Sequence, residues 1–398
     1  MRSAVESYIV GSVRTAIGKM GGTLTNVTVD HLAEKVIREV LQRSGAEVEV
    51  DEVILGQAKQ SADTSNLARL AALRADLPVS VTGYTVHRQC GSGLQAINNA
   101  EMQIKLGLSD VVVAGGAESM STAPYYIRNA RYGYQAGNGL LLDPNTESQP
   151  CSQPVETYGN LTMGYTAENL AEQYNISREE QDEFAHRSQE LADKAIKEGR
   201  FVNEIVTFDV KGRKKTIPFN IDEHPRLSNP EKLSKLRAVF KENGTVTAGN
   251  SSGRNDGAAA VLMMNEGKMN QYGLKPKAKI IAQAVSGVSP ENMGIGPVDS
   301  TFKALKQCGL SMNDICLIEL NEAFAAQALS VIKEAKMDIN RVNVNGGAIA
   351  FGHPIGATGA ILMTKLLYEM ERRGEKYGLV TLCIGGGQGI STIIEYLQ

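Results

Sequence analysis

Three residues of this chain are equipped for covalent or proton-transfer chemistry, and each stands on a glycine-rich turn. Cys90 lies in His87-Arg88-Gln89-Cys90-Gly91-Ser92-Gly93-Leu94-Gln95-Ala96-Ile97, at the mouth of a helix whose apolar side is expected to run through Leu94, Ile97 and Met102. A thiol there faces unpaired backbone N–H groups and the positive end of the helix dipole, and both favour the nucleophilic thiolate. His353 lies in Gly352-His353-Pro354-Ile355-Gly356-Ala357-Thr358-Gly359, where Pro354 fixes φ at the start of a second helix. Imidazole titrates nearest physiological pH and is the natural base for a thiol. Cys383 ends a short apolar strand before Gly385-Gly386-Gly387. A lone cysteine beside glycine is ordinarily a packing residue. Three such groups, each beside glycines that let a ligand approach the backbone, point instead to a site.

The elements that position these turns are legible in the hydrophobic pattern. Tyr8–Gly11, Glu52–Gly56 and Asp110–Ala114 read as strands, and Val29–Arg43, Asn66–Arg74 and Ser92–Leu106 as helices. Their alternation predicts an α/β fold with a mostly parallel sheet covered on both faces. The last third repeats the theme. Lys279–Val285, Ile315–Glu319, Gly378–Cys383 and Ser391–Tyr396 read as strands, and Ala323–Ala335 and Ile355–Arg372 as helices. Glycine turn, apolar helix and buried strand thus occur in the same order in both halves. Duplication of one α/β unit places Cys90 and His353 at equivalent turns facing a shared cleft. Between the halves, about residues 121–251, the texture is richer in Tyr, Asn and charge. That stretch holds a helix at Arg178–Lys197, opened by a Ser177/Glu180 capping box, and a hairpin around Val206–Ile217 with a basic turn at 211–215. The expected division is therefore 1–120, 121–251 and 252–398.

Composition narrows the class. At 398 residues and 42% hydrophobic content the chain can bury a large core. A net charge of −3, from 41 basic and 44 acidic residues, gives no general attraction to nucleic acid or an anionic membrane. Five scattered cysteines argue against a disulfide framework, and no Cys-x-x-Cys pair suggests structural zinc. With no signal-peptide pattern and no apolar stretch of membrane-spanning length, a cytoplasmic protein is expected.

Taken together, Cys90-Gly91-Ser92-Gly93-Leu94, Gly115-Gly116-Ala117-Glu118-Ser119-Met120, Gly249-Asn250-Ser251-Ser252-Gly253-Arg254-Asn255-Asp256-Gly257, Asn321-Glu322-Ala323-Phe324-Ala325, Gly352-His353-Pro354 and Cys383-Ile384-Gly385 resemble the motifs of the thiolases, in that family's order and across nearly the whole chain. The resemblance implies the thiolase fold, two duplicated α/β halves in five αβαβα layers with an inserted loop domain. It implies reversible condensation of acetyl-CoA, or CoA-dependent thiolysis of a 3-oxoacyl-CoA, through an acyl-cysteine. Cys90 is then the nucleophile, His353 the base and Cys383 the proton donor to the departing enolate. The N–H groups of Cys90 and Gly385 form one oxyanion site, and His353 with a water held by Asn321 forms the other. Taken by itself, Asn321 reads equally as a helix N-cap. Met163, Arg226, Phe240, Ser252, Met293 and Phe324 align with positions that hold coenzyme A or cap the acyl site. No metal, flavin or nicotinamide is required, no nucleic acid or membrane partner is expected, and a homodimer or homotetramer is implied.

Two positions depart from the family pattern. His87 replaces the usual Asn three residues before the nucleophile and is expected to be a packed strand residue. Thr162 stands where acetoacetyl-specific relatives tend to have His, which argues against strict C4 specificity, and the Leu140–Asn160 segment also differs from the usual cover. A decarboxylating 3-oxoacyl synthase would pair one cysteine with two histidines, whereas the third element here is Cys383. A non-catalytic CoA or lipid carrier would not need Cys90, Asn321, His353 and Cys383 together.

Overall fold

The computed structural model describes residues 5–212, 214–227 and 229–397. Residues 1–4, where the chain start was read, and Arg213 in the basic turn lie outside the described residues. Nine strands run side by side in the order Leu317–Leu320, Tyr377–Ile384, Gln388–Tyr396, Ala278–Gly287, Ser7–Thr15, Asn255–Asn265, Val111–Ser119, Glu52–Gly56 and Thr82–Val86. The first four and the last five make two sheets that touch through the pair Ile9 and Ala278. Helices Ser92–Lys105 and Thr358–Arg373 pack on each other and on strands of both sheets. Helices Val29–Ser44 and Leu67–Arg74 pack on the five-stranded sheet, and Gly296–Cys308 on the four-stranded one.

The sheets are mixed rather than mostly parallel. Only the pairs of Glu52–Gly56 with its two neighbours and of Leu317–Leu320 with Tyr377–Ile384 are parallel along this path. The reason is visible at Gly386 and Gly387, whose φ values of +87° and +85° close a hairpin between Tyr377–Ile384 and Gln388–Tyr396. Strand Asn255–Asn265 was not separated out in the sequence. Its run of alanines and methionines is buried on both faces between Ser7–Thr15 and Val111–Ser119, so no two-residue alternation marks it. On helix Ser92–Lys105, Leu94, Ile97 and Ile104 are buried while Met102 is exposed.

The two central helices start almost in contact. A Cβ on Gly359 would lie 2.4 Å from the Leu94 nitrogen, and one on Gly116 would lie 2.2 Å from the Gly356 carbonyl oxygen. Glycine at these positions is what lets the Cys90 and His353 turns share one cleft. Glu118, wholly buried, adds a polar tie. Its carboxylate accepts N–H groups from Ala58 at 2.9 Å, Lys59 at 3.0 Å and Gly356 at 2.8 Å. The intervening region packs over the C-terminal half through Arg178–Lys197, whose Ser177/Glu180 capping box is formed as expected. The hairpin pairs Phe208–Lys211 with Thr216–Phe219. No helix among the described residues is long and apolar enough to cross a membrane.

Candidate active site

Strand Thr82–Val86 leads into the Cys90 turn, which Gln89 completes with a φ of +44°. Ser92 Oγ donates to the Gln89 carbonyl at 2.6 Å and accepts the Arg88 N–H at 2.9 Å, fixing the turn ahead of the helix. Gly91 is the N-cap, so Cys90 sits two residues before the first helical residue, Ser92. The helix end does not act on Cys90 alone. Burial pushes its thiol up, and the N–H groups of Gly385 and Cys90 with the charge of Lys59 offset this only in part.

His353 is held on three sides. Its N–H donates to Asn255 Oδ1 at 3.0 Å, and its Nδ1 lies 2.6 Å from Thr358 Oγ1, which donates to the Pro354 carbonyl at 2.9 Å. That chain of donors assigns the ring proton to Nδ1 and leaves Nε2 as the acceptor. The Asn321 amide nitrogen approaches Nε2 at 3.4 Å. Burial pushes the His353 pKa down to about 4, so the ring is neutral at physiological pH. Asn321 is not a cap: the helix begins later, at Ala325, with Phe324 as N-cap. Instead Asn321 follows strand Leu317–Leu320, and its buried Oδ1 has no hydrogen-bond partner among the described residues. Cys383 is fully buried near the end of its strand, and burial together with Cys90 drives its thiol far above the ordinary range.

Cys90, His353, Cys383 and Gly385 line one cavity of about 200 Å³ together with Met163, Ser252, Phe240, Met293 and Phe324. The last three belong to an apolar wall in which the Phe240 and Phe324 rings meet edge-to-face, 5.9 Å apart. Arg226 is elsewhere. It lines a second cavity with His186, Gln189 and Lys232.

Several residues of the first cavity escaped the sequence reading. Lys59, Arg254, Asn145, Ser148 and Ser152 line it, and Thr358 orients the histidine. Lys59 carried a signal, a cation three residues past the end of an apolar strand, whereas Thr358 lay inside a quoted motif without a role. Thr162 does not line the cavity; it caps helix Met163–Gln173, its Oγ1 accepting the Tyr165 N–H at 3.3 Å. The segment 140–160 supplies the wall instead. His87 is not packed either. It follows the edge strand Thr82–Val86, which among the described residues has no strand on its outer side, and is exposed.

The neutral imidazole has a consequence for pH. Above about 4, His353 stays unprotonated in the folded enzyme, so formation of a covalent intermediate on Cys90 should show no acid limb at the ordinary histidine value. Between about 4 and that ordinary value the unfolded chain binds a proton that the folded chain does not, so stability falls as pH drops through this window. Quenched-flow mass spectrometry across mildly acid pH checks the first point. An acid limb centred on the free-histidine value would contradict it.

With this geometry in place, comparison with known proteins gives a consistent result. The family model for the thiolase N-terminal domain matches residues 7–267, and that for the thiolase C-terminal domain matches residues 274–396. The chain is 47% identical to acetyl-CoA acetyltransferase of Syntrophomonas wolfei, over 98% of this chain and 99% of that protein. Its fold is similar to the crystal structure of Bacillus anthracis acetyl-CoA acetyltransferase, with TM-score 0.97 and 48% identity over 100% of both chains. It is also similar to human mitochondrial 3-ketoacyl-CoA thiolase in complex with CoA, with TM-score 0.94 and 42% identity over 99% of this chain and 98% of that one. The chain belongs to the thiolase family. It has the thiolase fold, and its activity is that of an acyl-CoA C-acyltransferase.

Proposed function

We propose that this enzyme forms and cleaves 3-oxoacyl-CoA, condensing acetyl-CoA with itself or thiolysing acetoacetyl-CoA and longer homologues through an acyl group on Cys90. In thiolysis the Cys90 sulfur adds to the C3 ketone while His353 Nε2 takes its proton. The C2–C3 bond then breaks, and Cys383 protonates the departing acetyl-CoA enolate. The N–H groups of Cys90 and Gly385 stabilise one developing oxyanion. The protonated His353, with a water on Asn321 Oδ1, stabilises the other. Incoming CoA finally takes the acyl group from Cys90.

The observation that carries this reading is a neutral, oriented imidazole sharing one cavity with two thiols and the Gly385 N–H, beside an apolar wall. The orphaned Asn321 Oδ1 supports the water, because a buried acceptor without a partner is costly. One histidine and two cysteines on the cavity wall favour this chemistry over a decarboxylating synthase. Met163, Ser252, Phe240, Met293 and Phe324 are assigned to pantetheine and acyl contacts. Arg226, with Lys232, is assigned to the nucleotide end of CoA, whose phosphates suit a basic cavity. The division into two thiolase halves and an inserted loop domain, 1–120, 121–251 and 252–398, belongs to the same reading. So does a homodimer or homotetramer in the cytoplasm, where five free thiols are at home.

Exchange of labelled CoA into acetyl-CoA by the purified enzyme tests the half-reaction. Exchange that follows ping-pong kinetics is expected. Absence of exchange alongside intact folding would leave a carrier protein as the better description.

A further inference from the structure

The cavity has a second wall that neither the acetyl group nor pantetheine explains. Lys59, Arg254, Asn145 and Ser148 line it, opposite in character to Met163, Phe240, Met293 and Phe324. Lys59 is 7% exposed, yet among the described residues its ammonium donates only to neutral acceptors, the Pro144 carbonyl at 3.3 Å and Ser148 Oγ. The nearby carboxylates of Glu118 and Asp143 act on it through space but make no direct ion pair with it. Glu118 spends its oxygens on the Ala58, Lys59 and Gly356 N–H groups, and Asp143 faces Arg254, with Nη1 to Oδ2 at 3.5 Å. A buried cation without an ionic hydrogen-bond partner is expensive to keep, and an anion delivered to it recovers that cost. Pantetheine carries no charge, and in the reading above the phosphates of CoA belong to the separate Arg226 cavity. Besides its through-space effect on Cys90, Lys59 is left to meet the acyl chain.

We propose that this enzyme selects 3-oxoacyl-CoA substrates whose acyl chain ends in a carboxylate, and that Lys59 is the specificity-determining residue, with Arg254 beside it. The inference rests on the thiolase reading and specifies its substrate. On such a substrate the Cys90 sulfur bonds to C3, the C2–C3 bond breaks, and its electron pair leaves on acetyl-CoA, which Cys383 protonates; the proton that His353 took from the Cys90 thiol then restores Cys383. The fragment bearing the carboxylate stays on Cys90 as a thioester. The thiol of CoA then bonds to that carbonyl, and its proton returns to Cys90 as the Cys90–carbonyl bond breaks. The carboxylate itself takes no part in bond making; it is held by the Lys59 ammonium and fixes the chain.

The test compares near-isosteric substrates, 3-oxoadipyl-CoA against 3-oxohexanoyl-CoA, with acetoacetyl-CoA alongside. The wild-type kcat/KM ratio of the first to the second is expected to be about 10 to 100, the ordinary worth of a charge-assisted hydrogen bond. Lys59→Met should bring that ratio to about one or below, and Lys59→Arg should restore much of it. A wild-type ratio at or below one, with acetoacetyl-CoA turned over normally, overturns this proposal and leaves the thiolase reading standing. A high ratio that persists in a folded Lys59→Met enzyme overturns the role of Lys59. Because the wild-type ratio stands alone, a variant that fails to fold does not shield the idea. No turnover of any 3-oxoacyl-CoA by wild type would remove the reading and the proposal together.

Discussion

Replacing Cys90 with Ala should abolish the covalent acetyl intermediate and reduce thiolysis by on the order of 10⁴-fold or more, the usual consequence of removing a nucleophile. The expectation comes from position rather than from thiol acidity. Cys90 is half-buried at the cavity wall, where the Gly385 N–H and Lys59 favour its charged form, whereas Cys151 is exposed, and Cys308 and Cys316 do not line the cavity. Its thiol is protonated at rest because burial outweighs those donors, so the nucleophile has to be made on demand by a base. Intact-protein mass spectrometry after acetyl-CoA treatment, with steady-state thiolysis measured in parallel, reads both effects. Retention of a stoichiometric acetyl adduct by Cys90→Ala would place the nucleophile elsewhere.

Changes at His353 and Cys383 should separate by half-reaction. His353→Ala loses the base and an oxyanion donor together, so acylation of Cys90 should fall by on the order of 10²-fold or more. Cys383→Ser should acylate far more readily than it condenses, because the acetyl transfer to Cys90 does not require proton exchange at the acetyl-CoA methyl group. A hydroxyl is also a poorer proton shuttle than the buried thiol it replaces. Thr358 sharpens the case for His353: its hydroxyl, committed to Pro354, is what leaves Nε2 free to accept. Small and equal losses in both half-reactions for both variants would mean that the acid–base roles are misassigned.

The turns that carry chemistry were the most legible part of the sequence, because each combines a reactive side chain with glycines that few other functions demand. Strands such as Glu52–Gly56 and helices such as Val29–Ser44 were also plain, since one apolar stripe or short run marks each. Sheet direction was not. It depends on whether a glycine run such as 385–387 closes a hairpin or opens a crossover, and periodicity is silent on that. Strand Asn255–Asn265 was hidden for a related reason, being apolar on both faces and read first as a motif. The cavity's polar wall was the least legible. Lys59, Ser148 and Arg254 come from three distant segments, and nothing in local pattern tells a buried lysine from a solvated one. Thr162 shows the converse error, a position weighted by analogy whose hydroxyl is occupied in capping its own helix.

The central claim is that acyl transfer passes through Cys90, and peptide mapping of the wild-type enzyme tests it most directly. The enzyme is mixed with acetyl-CoA, quenched in acid and digested, and the acetyl group is located by tandem mass spectrometry. Acetyl is expected on the Cys90 peptide, discharged to acetyl-CoA when free CoA is added before the quench. Acetyl on Cys383, Cys151, Cys308 or Cys316, or a Cys90 adduct that CoA cannot discharge, would contradict it.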